Sequence, residues 1–180
     1  MNVTIFFKGG ELLMDIRLAR LEDAEGIVRV CTDAYRHTYP GIIAASHIEK
    51  TIKEFYNLER VEREITDVSD AWNGWFVAVD NGQVVGAAGG GFTADSVAEL
   101  FVIYLDPARK REGIGSRLLT AVTDDQRARG AKEQWVSVQK YNDMGIPFYE
   151  AVGFEYQEER PAHGYSEEEG YRSLRYKRRI

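Results

Sequence analysis

The chain has 180 residues, 44% of them hydrophobic and 12% aromatic, which suits one globular domain with a real core and requires no second domain. Its formal net charge of -6, from 29 acidic and 23 basic residues, argues against a general nucleic-acid binder and favours the approach of cationic small molecules. A lone cysteine, Cys31, excludes a disulfide framework and a multi-thiolate metal site, and no run reaches the roughly 18 apolar residues of a membrane span, so a cytoplasmic protein with no membrane partner is expected.

Taken in order, residues 1–13 differ in pattern from the remainder of the chain. Lys8-Gly9-Gly10-Glu11 can be encoded by the purine-rich codons of a ribosome-binding sequence a few codons ahead of Met14. Met14 is therefore the expected natural start, with 1–13 an extension and 14–180 the domain. Ile16, Leu18 and Leu21 predict a short strand leading into Glu22-Asp23, acidic residues suited to a helix first turn. Ile27, Val30, Cys31 and Ala34 recur at helical spacing, which places Cys31 on a core-facing stripe rather than at a reactive site. The stretch Tyr35 to Gly41 is read as the break of that helix, either a binding loop or a plain connection. A second helix is expected from about Ser46 to Ile65, interrupted near Asn57.

Trp75 to Val79, the turn Asp80-Asn81-Gly82 and Gln83 to Phe92 predict a hairpin, because Asn-Gly readily takes the positive φ of a type I′ turn. Gly86 and Gly89-Gly90-Gly91 in its second strand are read as a bulge or close packing. A strand over 97–105 comes next, then a helix from Ile114 to about Arg129 that Gly130 ends. Trp135, Val136 and Val138 mark another strand, and Asn142 to Val152 a short helix with Pro147 near its first turn. Gly153-Phe154 starts a further strand, succeeded by an acidic loop over Glu155 to Glu169. The basic residues of Tyr171 to Ile180 are read as decorating an exposed strand. The order predicts an α/β domain with one sheet flanked by helices.

The chemistry gathers around the strand ending at Leu105. Lys110, Arg111, Gly113, Ile114 and Gly115 carry the chain into a helix N-terminus, where backbone N–H groups and the helix dipole can hold a pyrophosphate. The Walker spacing is absent, and Leu118 occupies the third glycine position of a dinucleotide fingerprint, so a generic strand-to-helix turn fits the turn alone equally well.

Ile103-Tyr104-Leu105-Asp106-Pro107, the turn similar to [QR]-x-x-G-x-[GA], and Asn142 with Phe148-Tyr149-Glu150-Ala151-Val152-Gly153-Phe154 occur in an order and at a separation that resemble the GNAT superfamily of N-acetyltransferases. Lys110 stands where that family usually carries Arg or Gln, and Gly145 and Pro147 depart from the pattern of the short helix. The resemblance implies a single mixed, mostly antiparallel, splayed sheet flanked by helices and acetyl-coenzyme A as co-substrate; separately, three histidines and one cysteine offer no metal-ligand spacing, so no metal is expected. The resemblance further implies that the backbone of Ile103, Tyr104 and Leu105 holds the pantetheine arm. Arg111, Glu112, Gly113, Ile114, Gly115 and Ser116 would surround the pyrophosphate, and Asn142 would touch the cofactor from the next helix. Tyr149 is the candidate acid for the departing thiolate, or else an aromatic packing residue; Glu99 is the candidate base, or else a solvent-facing strand glutamate. His37 and His47 flank the expected acceptor border and stay open. The reading is direct acetyl transfer to a primary amine, with a cationic small molecule favoured and a peptide N-terminus or lysine the other candidates. The competing reading is a non-catalytic acyl-coenzyme A sensor or scaffold, and a homodimer is expected by analogy only.

Overall fold

The computed structural model describes residues 14–180, so the extension expected over 1–13 lies outside the described residues. Among these residues, seven strands form one sheet in the order β1-β2-β3-β4-β5-β7-β6. They are β1 (Asp15–Leu18), β2 (Trp75–Asp80), β3 (Gln83–Ala94), β4 (Val97–Leu105), β5 (Glu133–Gln139), β6 (Glu155–Pro161) and β7 (Arg172–Arg179). Every pairing is antiparallel except that of β4 with β5. The hairpin of β2 and β3 turns on Asn81 and Gly82, at φ 50° and 76°, which the Asn-Gly pair supplies with little strain.

Among the described residues, five α-helices cover the sheet. On one face, α1 (Ala24–Thr38) and α3 (Leu58–Thr66) bury Ile27, Val30, Cys31 and Val61 against Val77, Val84 and Ala87. On the other, α4 (Ile114–Ala128) and α5 (Gly145–Ala151) meet Ala78, Val85, Leu100 and Val136 through Ile114, Leu118, Val122 and Tyr149. At about 1.5–3 kcal/mol for each large apolar side chain fully buried, these two layers supply the main driving force for folding. A third cluster, Tyr35, Tyr39, Ile43, Ile48 and Ile52, docks α2 (Ala45–Phe55) beside the end of β4.

Three expectations need correction and a fourth, the break near Asn57, is sharpened. The first helix does not break at Tyr35 but continues to Thr38, because Tyr35 lies on the same stripe as Ala34 and finds a buried tyrosine cluster to enter. The interruption at Asn57 is complete: its side chain accepts from the Arg60 N–H at 3.0 Å, capping α3 as a separate helix. Glu155–Pro161 is a strand at the sheet edge rather than the start of an acidic loop, held where Glu159 meets Lys140 and Arg172 at 2.8 and 3.0 Å. Finally, β7 lies between β5 and β6, and although Arg179 is exposed and Arg172 and Lys177 are partly so, Arg175 is 7% exposed and does not decorate the surface.

Candidate active site

The site begins where two parallel strands part. β4 and β5 pair only from Val97 with Glu133 to Leu100 with Val136. Beyond that rung, β4 tracks β3 to the pair Leu105–Gly86, while β5 tracks β7 to the pair Gln139–Ser173. Among the described residues, the edge of Phe101–Leu105 that faces β5 thus has no strand partner, and backbone donors and acceptors along such an edge are a template for an extended ligand. A bulge sharpens the divergence: Gly89 pairs with Val102 and Gly90 with Leu100, leaving Phe101 unmatched and exposed. Gly90 makes this possible, since a Cβ there would strike the Glu99 carbonyl and come within 2.9 Å of Gln126 Nε2.

Between the separated strands lies a cleft of about 780 Å³. Ile103, Tyr104 and Leu105 form one wall; Ser137, Val138, Asn142 and Tyr149 form the other; His37, Thr38 and Tyr39 from the end of α1 close over it. Lys110, Arg111 and Gly115 stand at its outer end.

That outer end is a rigid turn. The Asp106 side chain accepts from the Ala108 N–H and its carbonyl from the Arg109 N–H, both at 2.9 Å. Arg109 is consumed internally, bound to Glu112 and to Asp80 at 2.8 Å. The same contact with Arg109 holds the Glu112 carboxyl below the usual carboxylate range. Glu112 can therefore serve the cleft only through its main chain, and the same is true of Ile114, whose side chain is 1% exposed in the core. Arg111 and Gly113 both take positive φ, 66° and 74°, immediately before α4. Left-handed residues alternating with ordinary ones ahead of a helix N-terminus are the backbone habit of an anion nest. Ser116 lies exposed on the first turn of α4. A Cβ on Gly115 would lie 3.4 Å from Leu105 and 3.5 Å from Phe148, so glycine keeps the cleft floor low there.

Asn142 is buried, and its Oδ1 accepts from the N–H groups of Met144 and Gly145 at 3.2 and 2.9 Å, capping α5. This explains Gly145, because a Cβ there would sit 2.9 Å from Asn142 Nδ2. Nearby, the Tyr39 hydroxyl stands 3.2 Å from the Tyr104 hydroxyl. Tyr149, on α5, has its ring between those of Phe148 and Phe154, with centroids at 5.2 and 5.6 Å. Burial, and secondarily Tyr39, push its phenol well above the ordinary tyrosine range.

Glu99 is 8% exposed, which removes the solvent-facing alternative. Both of its carboxylate oxygens accept from the Arg175 guanidinium, Oε2 from Nη2 at 3.0 Å, and Arg175 Nη1 also donates to Ser137 Oγ at 2.8 Å. Glu99 thus lies behind Ser137 rather than on the cleft wall itself. His37 Nε2 is 2.8 Å from Lys110 Nζ across the cleft mouth, whereas His47 lies off the cleft, 3.0 Å from Glu169. Among the described residues, no three His, Cys, Asp or Glu side chains are gathered to hold a metal ion.

Sequence reasoning missed Arg175, Ser137 and Tyr39. The alternation Leu174, Tyr176 against Ser173, Arg175, Lys177 was the available signal that both faces of this strand are used, but the partner of Arg175 lies 76 residues away.

The sequence profile of the acetyltransferase (GNAT) family matches residues 32–154. The chain is 29% identical over 142 residues to a spermidine N(1)-acetyltransferase of Thermoplasma acidophilum, covering 78% of this chain and 88% of the relative. It is 32% identical over 145 residues to an uncharacterized N-acetyltransferase, YuaI, of Bacillus subtilis, covering 77% and 79%. A [ribosomal protein bS18]-alanine N-acetyltransferase of Escherichia coli is 39% identical over 57 residues, 32% of this chain and 38% of the relative. In fold, the chain superimposes with a TM-score of 0.80 on the PaiA N-acetyltransferase of Thermoplasma acidophilum in complex with coenzyme A, at 24% identity, covering 93% of this chain and 99% of that one.

Proposed function

This chain belongs to the GNAT family of acetyltransferases, and we propose that it moves acetyl from acetyl-coenzyme A directly to a primary amine, without an acyl-enzyme. The observation that carries the reading is the unpaired edge of β4, which runs into the nest ahead of α4 inside the same cleft as Tyr149. The main chain of Ile103, Tyr104 and Leu105 pairs with the pantetheine amides, in the manner of an added strand. The main chain from Arg111 to Ser116 receives the pyrophosphate, with the α4 dipole behind it. Asn142 offers its amide nitrogen from the facing wall. The only thiol, Cys31, is buried among Val30, Val61 and Val77 under α1 and does not line the cleft, which supports transfer without a cysteine intermediate.

In the transfer, the amine nitrogen bonds to the acetyl carbon and the carbon–sulfur bond breaks. Tyr149 gives its phenolic proton to the departing thiolate, and the proton lost by the amine passes by water toward Glu99. The acceptor we favour is a cationic small amine. The chain's negative charge supports it, and one relative aligned over most of this chain is a spermidine N(1)-acetyltransferase, whereas the alanine acetyltransferase aligns over 57 residues.

Thiol release from acetyl-coenzyme A across a panel of spermidine, an aminoglycoside, a lysine peptide and an N-terminal alanine peptide tests this. The highest kcat/KM is expected with spermidine. Cofactor binding with no amine-dependent release would overturn the reading and mark an acyl-coenzyme A sensor instead.

A further inference from the structure

The β4–β5 ladder stops one rung beyond Glu99, and past it no backbone bond fixes the distance between the two strands. Arg175 spans that fork. It starts on β7 opposite Ser137, crosses β5, and clasps Glu99 on β4, with side-chain exposures of 9% for the arginine and 11% for the glutamate. Its guanidinium carbon lies 5.0 Å from the centroid of the Trp135 ring, which sets the plane of the fork. The remaining nitrogen, Nε, is buried and has no hydrogen-bond partner among the described residues.

Stability alone is a weak reason for this arrangement. A buried ion pair is often no better than packed apolar residues, and an orphaned donor adds a further cost. Its placement gives a stronger one. We propose that Arg175 is a positioning residue for the transfer reaction: its two-pronged grip fixes the Glu99 carboxylate behind the cleft wall and ties it to the wall residue Ser137. The inference rests on the acetyltransferase reading of the cleft. With one bond from Arg175 to each carboxylate oxygen, Glu99 can take up the proton that water carries to it only through its remaining lone pairs. The Ser137 oxygen accepts from Arg175, so its proton is free to point into the cleft. A lysine at this position keeps the charge and loses the planar fork, so it holds one oxygen and lets the carboxylate turn.

The test compares Arg175→Lys and Arg175→Met with wild type in kcat, in KM for each substrate and in Tm. A carboxylate displaced by about 1 Å can lose on the order of 100-fold in rate. Arg175→Met is therefore expected to lose about 100-fold in kcat and Arg175→Lys about tenfold, with KM for acetyl-coenzyme A within about threefold for both. Low millimolar guanidinium chloride should restore part of the kcat of Arg175→Ala and leave wild type unchanged. Unchanged kcat in Arg175→Met overturns the inference. So does a loss shared equally by kcat and cofactor KM, with no recovery from lysine or guanidinium, which would reduce Arg175 to a strut. If Arg175→Met fails to fold, Arg175→Lys decides by the same split. Wild type that releases no thiol with any amine overturns the acetyltransferase reading, and the inference with it.

Discussion

Replacing Tyr149 by Phe deletes one oxygen and leaves the ring in place between Phe148 and Phe154. The hydroxyl belongs to a residue that lines the cleft, so its loss creates no cavity in the packed layer, and stability should change by less than about 1 kcal/mol. The effect on rate is larger. An ordinary phenol titrates near 10 and a thiol near 8.5, so donation is already uphill by about 1.5 units, or roughly 2 kcal/mol. Burial pushes Tyr149 higher still. The phenol can thus help only as the carbon–sulfur bond breaks, when the thiolate is at its most basic, which argues for the low end of the 10²–10⁴ range of general acids. We expect kcat to fall about 100-fold, equivalent to about 2.7 kcal/mol, with KM for acetyl-coenzyme A within about threefold. Initial rates of thiol release at saturating amine, with Tm measured alongside, provide the assay. Because the phenol is raised, it stays protonated through neutral and mildly alkaline pH, so wild type should show no loss of kcat below about pH 10 that disappears in the Phe variant. A kcat within threefold of wild type would refute the role given to Tyr149.

Gly90→Ala should destabilise by about 1–3 kcal/mol in urea unfolding, since the new methyl meets β4 backbone at Glu99 that cannot rotate away; a cost under about 0.5 kcal/mol would mean the bulge yields. Asp23 is buried, which alone would raise its carboxyl, but hydrogen bonds from Arg17 and from the Arg20 N–H outweigh that and lower it. Its stabilisation is therefore complete above the unfolded value of about 3.9 and fades as pH falls through the lower folded value. Asp23→Asn should cost about 1.5–3 kcal/mol at pH 7, and the gap to wild type in thermal melts should narrow below about pH 4. Lys110 is an exposed cation at the outer end of the cleft, so Lys110→Ala should raise KM for acetyl-coenzyme A by about two- to fivefold and move kcat less. The difference should shrink in high salt, and a salt-independent effect would place Lys110 away from the phosphates.

Local chemistry was legible in the sequence wherever one short stretch decided the outcome. Asn81-Gly82 dictates its own turn, and the stripe of Ile27, Val30, Cys31 and Ala34 marks its own buried face. The triple glycine, read as a bulge or close packing, proves to be both. What escaped depended on partners remote in the chain. Glu155–Pro161 is rich in glutamate and looks like loop until β7 offers Arg172 and Lys177 opposite it, since strand preference reflects neighbours more than composition. Arg175 reads as a solvated charge until the sheet order sets β7 beside β5 and brings Glu99 within its reach. Tyr35 to Thr38 continue a helix because a pocket of aromatic rings waits there, a fact that no local pattern encodes.

The burial of Cys31 has an experimental use. Burial, and secondarily the Glu64 carboxylate, push its thiol well above the usual cysteine range, so the folded protein holds almost no thiolate for a disulfide reagent to attack. A colorimetric thiol assay on this enzyme consequently counts released coenzyme A with little background from the protein. The residue also serves as a built-in clock. Cys31 is sealed between α1, α3 and the sheet, so its labelling rate under native conditions reports how often that layer opens, and ligands that grip the end of α1 should slow it.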